Sequence, residues 1–312
     1  AGQNAQEVAF FQPFTQQTGI PVVQSEYNGE MARIKVMADT GHADWDLVQV
    51  EGPELARGCD DGLFERLDWQ AIGGKQQLIA NAAQECGSAA LVWGVAIGYD
   101  ADRLQQPPAS WADFWDVQRF PGKRGLRKRA IYNLEFALLA DGVPREQVYP
   151  LLATRAGADR AFAKLGQLKP YIQWWEAGAQ PAQWLAAGDV VMTSTYTGRI
   201  ADAHRAGRNL ALVWPGSLYG MDYWAVVKGS KRGAEARRFI AFANAPDAQV
   251  RYVENIPYGP TNRQAAQRLP AQLASWVPTA PANLEQGLAM DDEFWVEHGE
   301  ELEERFNAWA SQ

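Results

Sequence analysis

The stretch Val213-Trp214-Pro215-Gly216-Ser217-Leu218-Tyr219-Gly220-Met221-Asp222-Tyr223-Trp224-Ala225-Val226-Val227 decides how the chain is read. It opens as the end of a strand, meets a Pro-Gly pair that marks a turn, and re-enters an apolar, β-favouring run. One carboxylate, Asp222, lies between Gly220 and two aromatics. Flanking rings exclude water, and an acid in a water-poor pocket pairs strongly with a cation. The plainer reading is an Asp that caps a turn. Taken with the rest of the chain, the stretch reads as the floor of a binding cleft, where the chain crosses back between two lobes.

The chain has 312 residues and a mass of 34.5 kDa, enough for two α/β lobes rather than one compact core. Its net charge of −8 argues against a nucleic-acid surface and suits a cationic ligand. No apolar run approaches the ~18 residues that a membrane helix requires. The opening Ala1-Gly2-Gln3-Asn4 is polar, unlike a leader peptide. Thirteen tryptophans are a surplus often spent on aromatic clefts.

Helical and strand patterns alternate along the first half, the signature of a parallel sheet. Gln6 to Thr18 reads as an amphipathic helix with Val8, Phe11 and Phe14 on one face and Gly19 as its stop. Pro21-Val22-Val23 begins a short strand ending at Ser25-Glu26-Tyr27, and Asn28-Gly29-Glu30 turns into a helix carrying Met31, Ile34 and Met37. Asp46 to Val50 is a buried strand with a helix starting after Glu51. Ligands in open α/β sheets bind beyond the carboxyl ends of strands, which directs Glu51 and Tyr27 toward a site. Leu91 to Tyr99 is the first crossing between lobes. Helices follow over 133–140, 156–165, 181–187, 234–245 and 293–309, and Val190 to Tyr196 is a strand. Ile256 to Asn262 forms a rigid loop.

Chemical motifs are few. GxGxxG, Walker A and GxSxG patterns are absent. His42, His204 and His298 show no ligand spacing, so no metal or cofactor is expected. The basic run Lys123-Arg124-Gly125-Leu126-Arg127-Lys128-Arg129 reads as a solvated loop. Cys59 and Cys86 sit in polar surroundings outside any CxxC, either as two free thiols or as one disulfide. The even count favours the disulfide and an oxidising compartment.

Trp93-Gly94, the run Ser110 to Trp115, Trp184 through Gly188, Met221-Asp222 and Ile256-Pro257-Tyr258-Gly259-Pro260-Thr261-Asn262 together resemble the polyamine-type extracellular solute-binding proteins of bacterial ABC importers, in the right order over nearly the whole chain. The resemblance implies a two-lobed periplasmic-binding-protein fold of class α/β, with crossing hinge segments and a small amine enclosed in a cleft. It sets lobe one at 1–98 plus 224–270 and lobe two at 99–223 plus 271–312. It further implies a periplasmic address, an ABC permease as partner and a monomer. In two places the chain departs from the pattern. The family's first strand and its aromatic loop would precede Ala1, so either upstream residues carry them or lobe one lacks that strand. The stretch Lys128 to Asn133 also lacks the paired acids that hold a polyamine's further amines.

By the resemblance, Asp222 is the amine-binding acid and Tyr258 the loop aromatic. Glu51 and Tyr27 stand at strand ends, with Trp93 behind the site. Trp174, Trp175 and Glu176 mark a similar strand end in lobe two, one Trp as core and the other as wall. Tyr196 and Arg199 flank a helix start, where a carboxylate binds well. An amine at Asp222 and a carboxylate at Arg199 make a short ω-amino acid such as γ-aminobutyrate the expected ligand, ahead of putrescine or spermidine. Two alternatives stand beside it. One is an enzyme using Glu51 or Glu176 as a base; the other is a sugar receptor stacking its ligand on Trp174 or Trp175.

Overall fold

The structure, a computed structural model, describes residues 2–25, 27 and 29–311. Glu26 and Asn28, assigned above to a strand end and a turn, lie outside the described residues. Seven strands occur among those described: β1 (Leu47–Glu51), β2 (Ser88–Asp100), β3 (Arg124–Arg127), β4 (Ile172–Trp175), β5 (Met192–Tyr196), β6 (Leu210–Val226) and β7 (Leu288–Ala289). They follow the order β1-β6-β2-β5-β3-β4, with β7 beside β6. The chain divides into two compact units, one of Ala1–Trp93 with Gly220–Pro281 and one of Gly94–Tyr219 with Ala282–Gln312. The breaks therefore fall at 93/94, 219/220 and 281/282, against the 98/99, 223/224 and 270/271 read from the sequence. Strands β2 and β6 each carry the chain from one unit to the other.

In the first unit β1 pairs antiparallel with β6, from Leu47 opposite Val226 to Glu51 opposite Asp222. Parallel pairing joins β3 with β4, β3 with β5, and β6 with β7. The sheet is mixed, where alternation of helices and strands suggested a parallel one. The long strands explain the difference. A strand that runs out and a strand that runs back lie beside their neighbours in opposite senses, without a crossover helix.

The stretch read as strand, turn and strand is one 17-residue strand, β6, passing through Pro215 and Gly216. Gly216 takes up the bend with a φ of +73°, open to a residue without Cβ, and keeps its N–H bonded to the Gln286 carbonyl. Two further expectations fail nearby. The amphipathic helix does form over the first residues, but a π segment at Glu7–Phe11 interrupts it. The wider turn rotates the register, so Phe10, Phe11 and Phe14 are buried while Val8 remains 43% exposed. Pro21 to Val23 makes no strand; Val23 is 92% exposed and has no partner ladder. β-Propensity alone does not hold a strand without one.

Each unit packs its own aromatic core. In the first, Phe11 and Phe14 meet Phe239, Trp224 stands edge-on to Phe239, and Phe10 stacks on Tyr252. A disulfide between Cys59 and Cys86 ties the Gly52–Asp60 helix to the turn before β2. In the second, Trp111 stacks on Phe136 at 3.7 Å, and Trp174 stands against Phe306 and Trp309 of the Asp292–Ala310 helix.

The basic run 123–129 is not a solvated loop, since its middle is β3. Arg124 is fully buried and donates to the carbonyls of Phe114, Gly122, Asp116 and Phe120. Burial lowers this guanidinium to about 10, and four carbonyl acceptors keep it satisfied without a carboxylate.

Candidate functional site

The first unit builds a half-site around Asp222. Pairing places Glu51, at the end of β1, opposite Asp222 on β6, and Gln49 one diagonal away. Gln49 donates from Nε2 to Asp222 Oδ2 at 2.9 Å, and the Trp93 indole donates to the same carboxylate. Trp93 reaches it because Gly220 has no side chain. A Cβ on Gly220 would stand 2.2 Å from the Trp93 ring. Burial pushes the Asp222 carboxyl up to about 7, opposed by the hydrogen bonds from Gln49 and Trp93 and reinforced by the negative Glu51 and Glu54. Among the described residues no Lys, Arg or His forms an ion pair with Asp222. The acid is half-buried, oriented by two donors, and lacks a cation.

Around it stand other polar groups. Glu51 is exposed and caps the Gly52–Asp60 helix in a reciprocal capping box with Glu54. Tyr27 packs edge-on to Trp45, and burial with the neighbouring Glu54 raises its hydroxyl well above the usual range. Tyr258 lies in the rigid loop, which pairs Gly259 with Val92 through reciprocal backbone bonds and so sets Tyr258 beside the middle of β2, next to Trp93 in sequence. Tyr252, buried in the Pro246–Asn255 helix, has a hydroxyl raised by burial and by the proximity of Tyr258 and Asp222. Its oxygen has no hydrogen-bond partner among the described residues.

The second unit gathers cations and rings. The Arg127 guanidinium lies 5.1 Å from the centre of the Tyr132 ring, 5.8 Å from Trp175 and 5.9 Å from Tyr196. Asn133 Nδ2 donates to the carbonyls of Arg127 and Arg129 at 2.5 and 2.7 Å, fixing the strand end that carries Arg127. Tyr132 holds a φ of +78°, a strained conformation for a residue with a Cβ, and strain of this kind collects at functional positions. A recess of about 350 Å³ is lined by Arg127, Lys128, Arg129, Trp175 and Glu176. Trp175 is fully buried and bonded to Ser194, so its ring serves the recess from beneath. Glu176 is exposed and pairs with Lys128 at 3.4 Å. Arg199 is exposed in the first turn of the Thr197–Arg205 helix, beside the Gly178 turn that also meets the Tyr196 ring. Neither Arg127 nor Arg199 has an ion-pair partner among the described residues.

The structure thus brings Asp222, Glu51, Trp93, Tyr27 and Tyr258 together in one unit, and Trp175, Glu176, Tyr196 and Arg199 in the other. Sequence reasoning missed Gln49, Glu54, Tyr252 and Arg127. Gln49 was available from alternation, two residues before Glu51 on the same strand face. Arg127 was hidden by reading its run as a loop.

Over residues 9–283 the chain matches the bacterial extracellular solute-binding proteins, and it belongs to that family. Along its whole length it is 58% identical to the gamma-aminobutyric acid-binding protein of Pseudomonas aeruginosa, of which it covers 89%. Solved structures agree with this placement. The Atu4243-GABA receptor has 32% identity and a TM-score of 0.87, with 99% of this chain and 94% of that one covered. An ABC transporter substrate-binding protein from Bradyrhizobium japonicum has 31% identity and a TM-score of 0.88, over 98% and 95% of the two chains.

Proposed function

We propose that this protein is the periplasmic receptor of an ABC importer for a short ω-amino acid of the γ-aminobutyrate type. The observation that carries the reading is Asp222, a half-buried, doubly donated carboxylate with no cation of its own among the described residues. A ligand ammonium supplies that cation. The ligand carboxylate is assigned to Arg199, whose planar fork suits a carboxylate, with Arg127 as a second positive charge near Tyr196. The gamma-aminobutyrate-binding relatives support the same ligand class. The polyamine-type resemblance is then one of architecture, since β3 and the residues after it present Arg127, Lys128 and Arg129 where a second amine would need acids. Glu51 is engaged as a helix cap and Glu176 in an ion pair, so neither is poised as a base. Binding without turnover, as a monomer that delivers to a membrane permease, completes the proposal.

Titration calorimetry with γ-aminobutyrate, putrescine and butyrate tests it. γ-Aminobutyrate should bind most tightly, and Asp222→Asn and Arg199→Ala should each weaken it ~30-fold or more, the loss of one partner from a buried charge pair. Tight putrescine binding that Arg199→Ala leaves unchanged would replace the reading with a polyamine receptor.

A further inference from the structure

Two glutamines connect Asp222 to the start of the chain. Gln6 donates from Nε2 to Gln49 Oε1 at 2.5 Å, and Gln49 donates from Nε2 to Asp222 Oδ2 at 2.9 Å. An amide has one accepting end and one donating end. With Oε1 occupied by Gln6, Gln49 can present only an N–H to the acid. We infer that Gln6 and Gln49 form a polarity relay that holds Asp222 in its carboxylate form for a cationic ligand group, making both of them positioning residues for the amine half-site.

The inference rests on the proposed role of Asp222 and adds what determines its charge. Burial, Glu51 from β1 and Glu54 from the Gly52–Asp60 helix all favour the protonated acid. The Tyr252 hydroxyl lies within electrostatic range of Asp222 from the Pro246–Asn255 helix, and Glu7 follows Gln6 in the chain. Against these, the opposing groups are the N–H donors of Gln49 and Trp93. Of the two, the Trp93 indole is donor-only, so its polarity is fixed by its chemistry. The Gln49 amide could turn over and offer an oxygen, which only a protonated Asp222 could satisfy. That turn would break the bond that Gln6 donates to the Gln49 oxygen. Gln6 reaches Gln49 from another element, the end of the Gly2–Gln6 helix, just before the π segment. The relay is thus spread over the opening helix, β1 and β6.

The test is calorimetry with γ-aminobutyrate between pH 5.5 and 8.5 on the full chain and three variants, each checked for folding by circular dichroism. Gln49→Leu removes the donor. Gln6→Glu is near-isosteric but acceptor-only, so it turns the Gln49 amide and presents Oε1 to Asp222. Its added negative charge also raises the midpoint, so its rise counts only alongside one in Gln49→Leu. Gln6→Leu frees the amide without reversing it. The midpoint of the affinity profile should rise by about one pH unit in Gln49→Leu and Gln6→Glu, and by less in Gln6→Leu. At pH 7 the first two should bind about fivefold more weakly, while affinity at pH 8.5 is largely kept. Midpoints unchanged in both, or losses equal at every pH, would reduce the glutamines to ordinary packing and overturn the relay. A wild-type chain that binds no ω-amino acid at any pH would overturn the proposed function and the relay with it. Binding by the wild type with unmoved variants overturns the relay alone.

Discussion

On the proposed role of Asp222, the charge of one side chain is the variable on which ligand capture turns. In the folded protein its carboxyl lies near 7, above the unfolded value of ~4. A group raised in this way favours the folded state fully only below its unfolded value, and that contribution is lost as pH rises toward 7. Ligand binding has the opposite sign, because an ammonium pairs with the ionised acid. Affinity for γ-aminobutyrate should therefore climb as pH rises through 7 and fall about tenfold per unit well below it. Asp222→Asn should flatten that slope, and calorimetry at pH 6, 7 and 8 reads both results. A wild-type affinity independent of pH would place the ammonium elsewhere. The place of Asp222 beside rings and a glycine was legible in the sequence. Its tuning was not, because Gln49, Glu54 and Trp93 lie up to 173 residues away and meet it only through strand register.

At the scale of the element, β6 and β3 show where sequence patterns mislead. Pro-Gly usually ends a strand, yet at 215–216 Pro needs no N–H and Gly turns to positive φ, so β6 continues. Five cations in seven residues read as solvent-facing, but Arg124 is an internal tie satisfied by four carbonyls. Propensity and charge describe a residue's preference for water, whereas backbone acceptors that converge from a folded turn are visible only in three dimensions. Some helices after residue 130 were legible where a stop signal closes an apolar run, as at Asn133–Ala140 before Asp141-Gly142 and at Gly188 after Gln180–Ala187. The disulfide was readable only as a preference, since spacing leaves two thiols equally possible.

Gly220 is a position in β6 that tolerates no side chain. Gly220→Ala drives a methyl into the Trp93 ring and displaces the indole from Asp222. The overpacking should cost ~1–3 kcal/mol. Denaturant unfolding followed by tryptophan fluorescence should record that loss together with weaker γ-aminobutyrate binding. An unchanged midpoint with normal affinity would mean that Trp93 can leave at no cost.

At the scale of the whole molecule, the Cys59–Cys86 bridge restrains the first unit. It closes a loop of 27 residues, for which chain entropy assigns ~3–4 kcal/mol of stability. Cys59→Ser with Cys86→Ser should lower the unfolding free energy by up to that amount while leaving ω-amino-acid affinity within about twofold, because the bridge lies outside the Asp222 cluster. A large loss of affinity with full stability would reverse that assignment.

The division of the chain into interrupted units has a kinetic consequence. Strand β1 pairs Leu47 with Val226, partners about 180 residues apart, and bringing such distant strands together is slow because loop closure precedes any reward from contact. A nascent chain that has emerged only as far as residue 200 has made β1 but not its partner β6, and has not reached the last helix of the other unit. Neither unit can then finish folding as an N-terminal piece. The chain stays open to chaperones through most of its synthesis, the form in which an exported polypeptide can still be threaded across a membrane.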